Sequence, residues 1–227
     1  MTKEWNLRRE RLLSREDWTV LHRHLRDRAA LAEQRGGRRA VKEYAIIMTA
    51  AFTGLRRSEI AALKRGDVHL RNSVPFIVVR RGKGGKFREV VISEELRRLL
   101  KRFTRKQDEW GEPAGAEDYV FLSQRGPYSG SGISRLFRKA CKRAGITILG
   151  IHALRHWFGT QLHAATKDLR LVQKQLGHSR VTTTQVYVNV SSEDAIAGMA
   201  AFEKYIASEA KNRTGRNGDV RIVKVVK

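Results

Sequence analysis

The sequence predicts a mainly α-helical protein with a small antiparallel β-sheet, for three reasons. Apolar residues recur at helical spacing along most of the chain. The main β-type pattern is a pair of short apolar runs separated by a glycine-rich turn. The length of 227 residues is enough to bury a full hydrophobic core in one domain with short appendages.

Two helices are expected before Gly54. The first begins after Ser14, which is suited to be its N-cap, and carries Trp18, Leu21 and Leu25 at helical spacing until RGGRR ends it. The next segment, AVKEYAIIMTAAF, is nearly all apolar and ends at a Thr-Gly pair. It therefore predicts a buried core helix.

The middle of the chain predicts a basic β-hairpin followed by further helices. The segment SVPFIVVRRGKGGKFREVVI predicts this hairpin as a strand, a turn and a second strand. The stretch from SEELRRLLKRF to DLRLVQKQLG is helical in pattern, and Gly177 is expected to end its last helix. Within it, GEPAGAEDYVFLSQRGPYSGSG indicates loops around a short YVFL strand.

The segment TTTQVY, which follows Gly177 after a short interval, has poor helix propensity. Each threonine loses rotamer freedom in a helix, and its hydroxyl competes for backbone groups. A marginal helix would suit a side chain that moves in and out of a site. Threonines that simply face solvent or a phosphate backbone would give the same pattern.

The charge balance predicts a nucleic-acid partner. Lys and Arg number 46 against 23 Asp and Glu, a formal charge of +23, and such an excess is self-repulsive unless a polyanion balances it. On charge alone, a ribosomal or other RNA-binding protein is an equally good interpretation. A lone cysteine, Cys141, is typical of a reducing compartment. With neither a signal segment nor a bilayer-length apolar run, we expect no membrane partner and a cytoplasmic protein.

Three short patterns place cationic or titratable side chains where they could bind an anion. IHALRHW sets His152 and Arg155 three residues apart, on one face of a predicted helix. TGLRRSEI sets Arg56 before a helix that starts near Ser58, where backbone N–H groups favour anions. Lys83 lies in the glycine-rich turn, where the backbone can approach a ligand closely. Each pattern alone is weak, because solvated arginines and lysines are frequent in so basic a chain.

Taken in order, these motifs resemble the tyrosine recombinases, the lambda-integrase and Xer family. The motifs are TGLRRSE, GKGGK between strands, HALRH, LGH, and a tyrosine nine residues after that last histidine. The resemblance runs from about Leu13 to about Val190 and implies the family's DNA breaking-rejoining catalytic domain. It implies the catalytic set Arg56, Lys83, His152, Arg155, His178 and Tyr187, supported by Glu59. The basic residues expected to contact DNA are Arg80, Arg81, Lys86 and Arg88.

The resemblance implies cleavage through a 3′-phosphotyrosine intermediate, without metal, other cofactor or ATP. The two arginines of the catalytic set would stabilise the charge of the transition state. Because a phenol has an ordinary pKa near 10, Tyr187 needs a proton acceptor, and His152 is the candidate. Lys83 would protonate the leaving 5′ oxygen, and His178 would hydrogen-bond the phosphate.

Three regions are expected: a basic N-terminal arm (1–12), the tyrosine recombinase catalytic domain (13–209) and a basic C-terminal tail (210–227). The tail ends in DVRIVKVVK, which predicts a β-strand that could be exchanged between protomers. The resemblance implies double-stranded DNA as partner and a homotetramer on DNA, formed from free monomers. Only 55 residues precede Arg56, so the family's usual N-terminal DNA-binding domain is not expected. The chain would be a minimal recombinase or a fragment.

The function expected from these features is that of a site-specific DNA recombinase or integrase. Two alternatives stay open. A monomeric type IB topoisomerase-like enzyme would use the same chemistry to relax supercoils without a recombinant product. A noncatalytic DNA-binding regulator would form no covalent adduct.

Overall fold

The computed structural model describes residues 12–80, 87–147, 149–177 and 192–214, and in the last range the side chains of 195–208. The helices of these residues are α1 (Arg15–Gln34), α2 (Arg38–Thr53), α3 (Arg57–Ala61), α4 (Glu94–Glu109), α5 (Gly130–Arg143), α6 (His152–Thr166), α7 (Leu169–Leu176) and α8 (Ser192–Thr214). The strands are β1 (Val68–His69), β2 (Phe76–Val79), β3 (Arg88–Val91), β4 (Leu122–Ser123) and β5 (Gly126–Pro127). The predicted fold class, mainly α with a small antiparallel sheet, is confirmed.

The two N-terminal helices form as their sequences predict. The Ser14 side chain accepts a hydrogen bond from the Asp17 N–H at 3.0 Å, so Ser14 is the N-cap of α1. The predicted stripe of Trp18, Leu21 and Leu25 is buried, and α1 packs against α2. Helix α2 ends at Gly54, whose φ of 62° is in the left-handed region. The end of α2 is therefore fixed by a residue for which this backbone conformation is cheap.

The predicted hairpin is present, and it gains a third strand. Strands β2 and β3 pair antiparallel, and the buried residues Ile77 and Val90 lie opposite each other. Strand β1, which the sequence did not reveal, pairs with the other edge of β2. The hairpin turn, residues 81–86, lies outside the described residues. Strand β3 begins close after that turn, at Arg88.

The predicted YVFL strand was wrong in its bounds. Tyr119 makes a single bridge to Lys64, and the regular strand β4 begins only at Leu122. Between them, the Val120 N–H donates to the Leu63 carbonyl at 2.9 Å, and the Gln107 side chain donates to the Val120 carbonyl at 2.8 Å. Because a loop and a helix side chain satisfy these backbone groups, a strand partner is not needed.

Helix α8 is anchored in an aromatic core. Phe202 is fully buried, and its ring lies edge-on to Phe52 of α2 at a centroid distance of 5.4 Å. The rings of Trp157 and Phe158 on α6 lie 6.2 and 5.4 Å from it. Helices α2, α6 and α8 thus share one core. None of the helices within the described ranges is long and apolar enough to cross a lipid bilayer.

Candidate active site

The centre of the candidate site is the Glu59 carboxylate, in the first turn of α3. Its Oε2 accepts the backbone N–H of Arg56 at 2.7 Å, and its Oε1 accepts the Arg56 guanidinium at 2.9 Å. From β3, Arg88 donates one terminal nitrogen to each oxygen, both at 2.9 Å. The Glu59 side chain is only 3% exposed. One buried carboxylate therefore ties the start of α3 to the sheet.

The Glu59 carboxylate is held in its charged form. Burial alone would raise its pKa, but the hydrogen bonds from Arg88 and Arg56 outweigh burial and lower the pKa below its ordinary value. A buried carboxylate with two guanidinium partners is satisfied as an anion. Glu59 therefore acts as an anionic support for the two arginines.

Arg155, in the first turns of α6, holds the ends of two other helices. It donates to the carbonyl of Gly54 at 2.6 Å and to the carbonyl of Leu176 at 2.7 Å. These carbonyls lie at the C-terminal ends of α2 and α7, where the helix dipole is negative. Burial, followed by the nearby Arg56 charge, lowers the pKa of Arg155 to about 10. Arg155 still carries its charge at neutral pH.

The space around Gly54 leaves no room for a side chain. A Cβ at this position would lie 2.5 Å from a methyl carbon of Leu176 and 2.7 Å from the ring of Phe158. Gly54 therefore allows α2, α6 and α7 to approach closely enough for Arg155 to reach both carbonyls. Arg56 follows two residues later, so the same close approach places Arg56 beside Arg155.

His152 is the first residue of α6, on the exposed side of this cluster. Partial burial, followed by the charges of Arg57 and Arg155, lowers its pKa below the ordinary value. The imidazole is therefore neutral at pH 7 and able to accept a proton. A neutral base next to fixed cations suits general-base chemistry on an anionic substrate.

The structure brings together four of the residues predicted to be catalytic or supporting: Arg56, Glu59, His152 and Arg155. The predicted residues Arg81, Lys83, Lys86, His178 and Tyr187 lie outside the described residues. Arg80 is paired with Asp67 at 2.5 Å and with Glu117 at 3.0 Å. Its predicted DNA contact, like that of Arg88, stays a prediction.

Arg88 is a member of this cluster that the sequence interpretation placed only at the DNA surface. Its partner Glu59 is 29 positions away in the sequence, so no local motif joins them. One sequence signal was available. Successive residues of a strand face opposite sides, and Val90 is a core residue. Arg88, two positions earlier, must then face the same side as the core.

The chemistry that this cluster can perform is the binding of an oxyanion by guanidinium groups. Arg56, Arg88 and Arg155 carry three positive charges, and Glu59 carries one negative charge. Each guanidinium has five N–H donors, so Arg56 and Arg155 retain donors beyond those used within the protein. Among the described residues, no group of three His, Cys, Asp or Glu side chains could hold a metal ion.

The mainly helical fold and this arginine–histidine cluster are those of a tyrosine recombinase catalytic domain. A solved pre-cleavage complex of the XerH site-specific recombinase, bound to difH substrate, matches with a TM-score of 0.60 and 26% identity. The match covers 75% of this chain and 48% of the XerH chain.

The chain belongs to the phage integrase family, whose model matches residues 27–194. It is 34% identical over 157 residues to the tyrosine recombinase XerH of Campylobacter jejuni, covering 67% of this chain and 42% of XerH. It is 30% identical over 176 residues to the tyrosine recombinase XerA of Pyrococcus furiosus, covering 74% of this chain and 58% of XerA. The chain thus spans about half the length of these relatives.

Proposed function

We propose that this chain is the catalytic domain of a site-specific DNA recombinase or integrase that cleaves and rejoins DNA through a 3′-phosphotyrosine intermediate. The observation that carries the proposal is the proximity of Arg56, His152 and Arg155, with Arg56 held by the buried Glu59 carboxylate. Family membership supports it, and the difH complex of XerH supports DNA as the substrate.

In the proposed cleavage step, the Tyr187 phenolic oxygen attacks the phosphorus of the scissile phosphodiester. His152, neutral at pH 7 because its pKa is lowered, takes up the phenolic proton. The remaining N–H donors of Arg56 and Arg155 bind the non-bridging oxygens, where negative charge accumulates in the transition state. His178 adds a further hydrogen bond to the phosphate.

The bond from phosphorus to the 5′ oxygen breaks in the same step. Lys83 protonates that oxygen, which leaves as a 5′ hydroxyl. The 3′ phosphate of the cleaved strand stays bonded to the Tyr187 oxygen. Because the energy of the broken bond is kept in the phosphotyrosine ester, a 5′ hydroxyl of the same or another strand reverses the step. The proposed reaction therefore conserves phosphodiester bonds without ATP.

The proposed substrate is double-stranded DNA, and phosphate contacts supply most of the affinity. The formal charge of +23 supports this, because lysine and arginine side chains release counterions from DNA when they bind. Within the described residues, Arg57 and His156 carry further basic groups near His152. These positive charges would attract the DNA backbone at the scissile phosphate.

The proposed nucleophile is tested with a suicide substrate nicked near the cleavage site. The wild-type chain is expected to form a covalent protein–DNA adduct on a denaturing gel. Tyr187→Phe should abolish the adduct and leave DNA binding nearly unchanged, because only the phenolic oxygen is lost. Tyr205→Phe is the matched control, since Tyr205 lies on α8, with its ring under the Arg15 guanidinium at 4.8 Å. An adduct that persists in Tyr187→Phe would overturn the assignment.

The same assay separates the two alternative functions. A noncatalytic regulator would give no adduct with the wild-type chain. A topoisomerase-like enzyme would give the adduct and relax supercoiled plasmid, yet yield no recombinant from two target sites. Recombinant product together with the adduct supports the proposed function.

We also propose that the free protein is a monomer and that it assembles into a homotetramer on DNA. The proposed role of the tail from residue 210 is to link protomers: a strand over residues 219–226 adds to a sheet edge of its own chain in the free monomer and of a neighbouring protomer on DNA. Deleting residues 217–227 should leave the domain folded and reduce higher-order complexes on DNA in a gel-shift assay. Unchanged complexes and unchanged cleavage would argue against an exchanged strand.

A further inference from the structure

Arg88 is the arginine of the cluster that gives both terminal nitrogens of its guanidinium to one carboxylate, whereas those of Arg155 donate to two neutral carbonyls. Both donate to the Glu59 carboxylate, at 2.9 Å each. Its side chain is 14% exposed, compared with 25% for Arg56. The Nε of Arg88 is buried and has no hydrogen-bond partner among the described residues. Because Glu59 balances its charge and its Nε is buried, Arg88 is poorly placed to bind a phosphate from solvent.

The contacts form a chain from Arg88 to Arg56. Glu59 Oε1 accepts from both guanidinium groups, and Oε2 accepts from the Arg56 backbone N–H and from Arg88. A carboxylate with these four donors has one orientation that satisfies all of them. With Arg88 removed, the carboxylate would keep only its contacts to Arg56 and could rotate with it. Arg88 thus fixes Glu59, and Glu59 fixes Arg56.

A second contact connects Arg88 to the end of α7. A Cβ at Gly177 would lie 2.7 Å from the Arg88 Cδ, so the α7 terminus packs directly on the Arg88 side chain. On the other side, Arg155 binds the Leu176 carbonyl. Arg88 and Arg155 therefore hold the α7 terminus between them. In the sequence, the residue after Gly177 is His178.

We infer that Arg88 is a positioning residue for the proposed reaction, not a DNA contact: it clamps Glu59, and through it orients Arg56, while supporting the α7 terminus. The inference rests on the proposed function. The requirement is for arginine, because a lysine ammonium cannot present two parallel N–H donors to a carboxylate. Misplacing a phosphate-binding group by about 1 Å is enough to slow chemistry about 10²-fold.

The first test compares Arg88→Gln, Glu59→Gln and the double variant in single-turnover cleavage at saturating DNA. If Arg88 acts through Glu59, each single variant is slowed about 10²-fold, and the double variant is no slower than the slower single variant. Multiplied effects in the double variant would mean that Arg88 acts independently of Glu59, which overturns the inference. Unchanged cleavage in Arg88→Gln would also overturn it.

The second measurement is the salt dependence of DNA binding. A positioning residue leaves the slope of log K against log salt unchanged, whereas loss of a phosphate contact reduces it by about 0.9. A reduced slope in Arg88→Gln would therefore restore the DNA-contact assignment. Arg65→Gln is the matched control, since Arg65 is also paired with a carboxylate, Asp108 at 2.7 Å, and its side chain is 13% exposed. This control should alter neither the slope nor the cleavage rate.

The third measurement does not depend on cleavage. In a ¹⁵N spectrum of the guanidinium groups, the wild-type chain is expected to show a slowly exchanging Nη–H signal of Arg56. The signal is assigned by its disappearance in Arg56→Lys. It should be lost in Arg88→Gln and retained in Arg65→Gln. Persistence of this signal in Arg88→Gln would show that Arg56 is held without Arg88. If the wild-type chain gives the signal but no DNA adduct, the proposed function fails while the positioning contact stands.

Discussion

Replacing Arg155 by methionine should slow cleavage strongly at a small loss of stability. The gross loss is two hydrogen bonds from a charged donor, to the carbonyls of Gly54 and Leu176, worth about 1.5–3 kcal/mol each. Against this, burial and the Arg56 charge lower the pKa of Arg155 to about 10 from its much higher ordinary value. At about 1.4 kcal/mol per pH unit, the folded environment destabilises the charged form of Arg155 by about 3 kcal/mol.

The two contributions nearly cancel, because methionine keeps an apolar stem in the same space and removes the buried charge. We expect the free energy of unfolding to fall by about 1–2 kcal/mol, a drop in Tm of about 2–8 °C for a domain of this size. The rate of adduct formation should fall by about 10²–10³, which is typical for the loss of one donor to a transition-state oxyanion.

The measurements are urea unfolding and single-turnover cleavage of a suicide substrate. Arg97→Met is a suitable control, since Arg97 also donates to a carbonyl, that of Leu70 at 2.8 Å, and its ion pair is with Glu94 of its own helix. It should lose comparable stability and keep its cleavage rate. The reasoning is refuted if Arg155→Met loses more than about 5 kcal/mol of stability, or if it cleaves within tenfold of the wild-type rate.

Three further predictions concern the general acid, the buried carboxylate and DNA affinity. Lys83→Ala should slow cleavage severely and be rescued by a 5′-bridging phosphorothiolate, whose leaving group needs no proton; rescue of Lys86→Ala instead would show that Lys86 is the acid. Because the folded pKa of Glu59 is lowered, its stabilising effect is present above about pH 4.5 and lost as pH falls through the folded value. Urea unfolding from pH 7 to pH 3 should then show wild type and Glu59→Gln converging at low pH, and a constant difference would contradict the charged state. For the whole chain, log K for DNA should fall linearly with log salt at about 0.9 per phosphate neutralised, and weak salt dependence with strong sequence preference would indicate base readout instead.

Local signals in the sequence determined much of the fold. Ser14 and Gly54 mark helix ends through their own side-chain and backbone chemistry, and the apolar periodicity of α1 and α2 matches their buried faces. The YVFL segment was placed wrongly, because Leu63 and Gln107 satisfy the backbone of Val120 from elsewhere in the fold.

The candidate site shows the same division between local and long-range information. Arg56, His152 and Arg155 lie in recognisable motifs and converge in the structure. The bidentate contact between Arg88 and Glu59 joins a strand to a helix across 29 positions, and no motif encodes it. The roles of Lys83, His178 and Tyr187 stay predictions from the resemblance.

Gly54 sets a limit on how this domain can be redesigned. Its φ of 62° is left-handed, and a Cβ added at this position would lie 2.5 Å from a methyl carbon of Leu176, so no other residue fits without strain. Consider a selection from a library in which the segment leading to Arg56 is randomised to change the DNA target. Nearly every clone with a substitution at Gly54 would be lost from it. Diversity should therefore be placed on an exposed position such as Ser58, while Gly54 is kept constant.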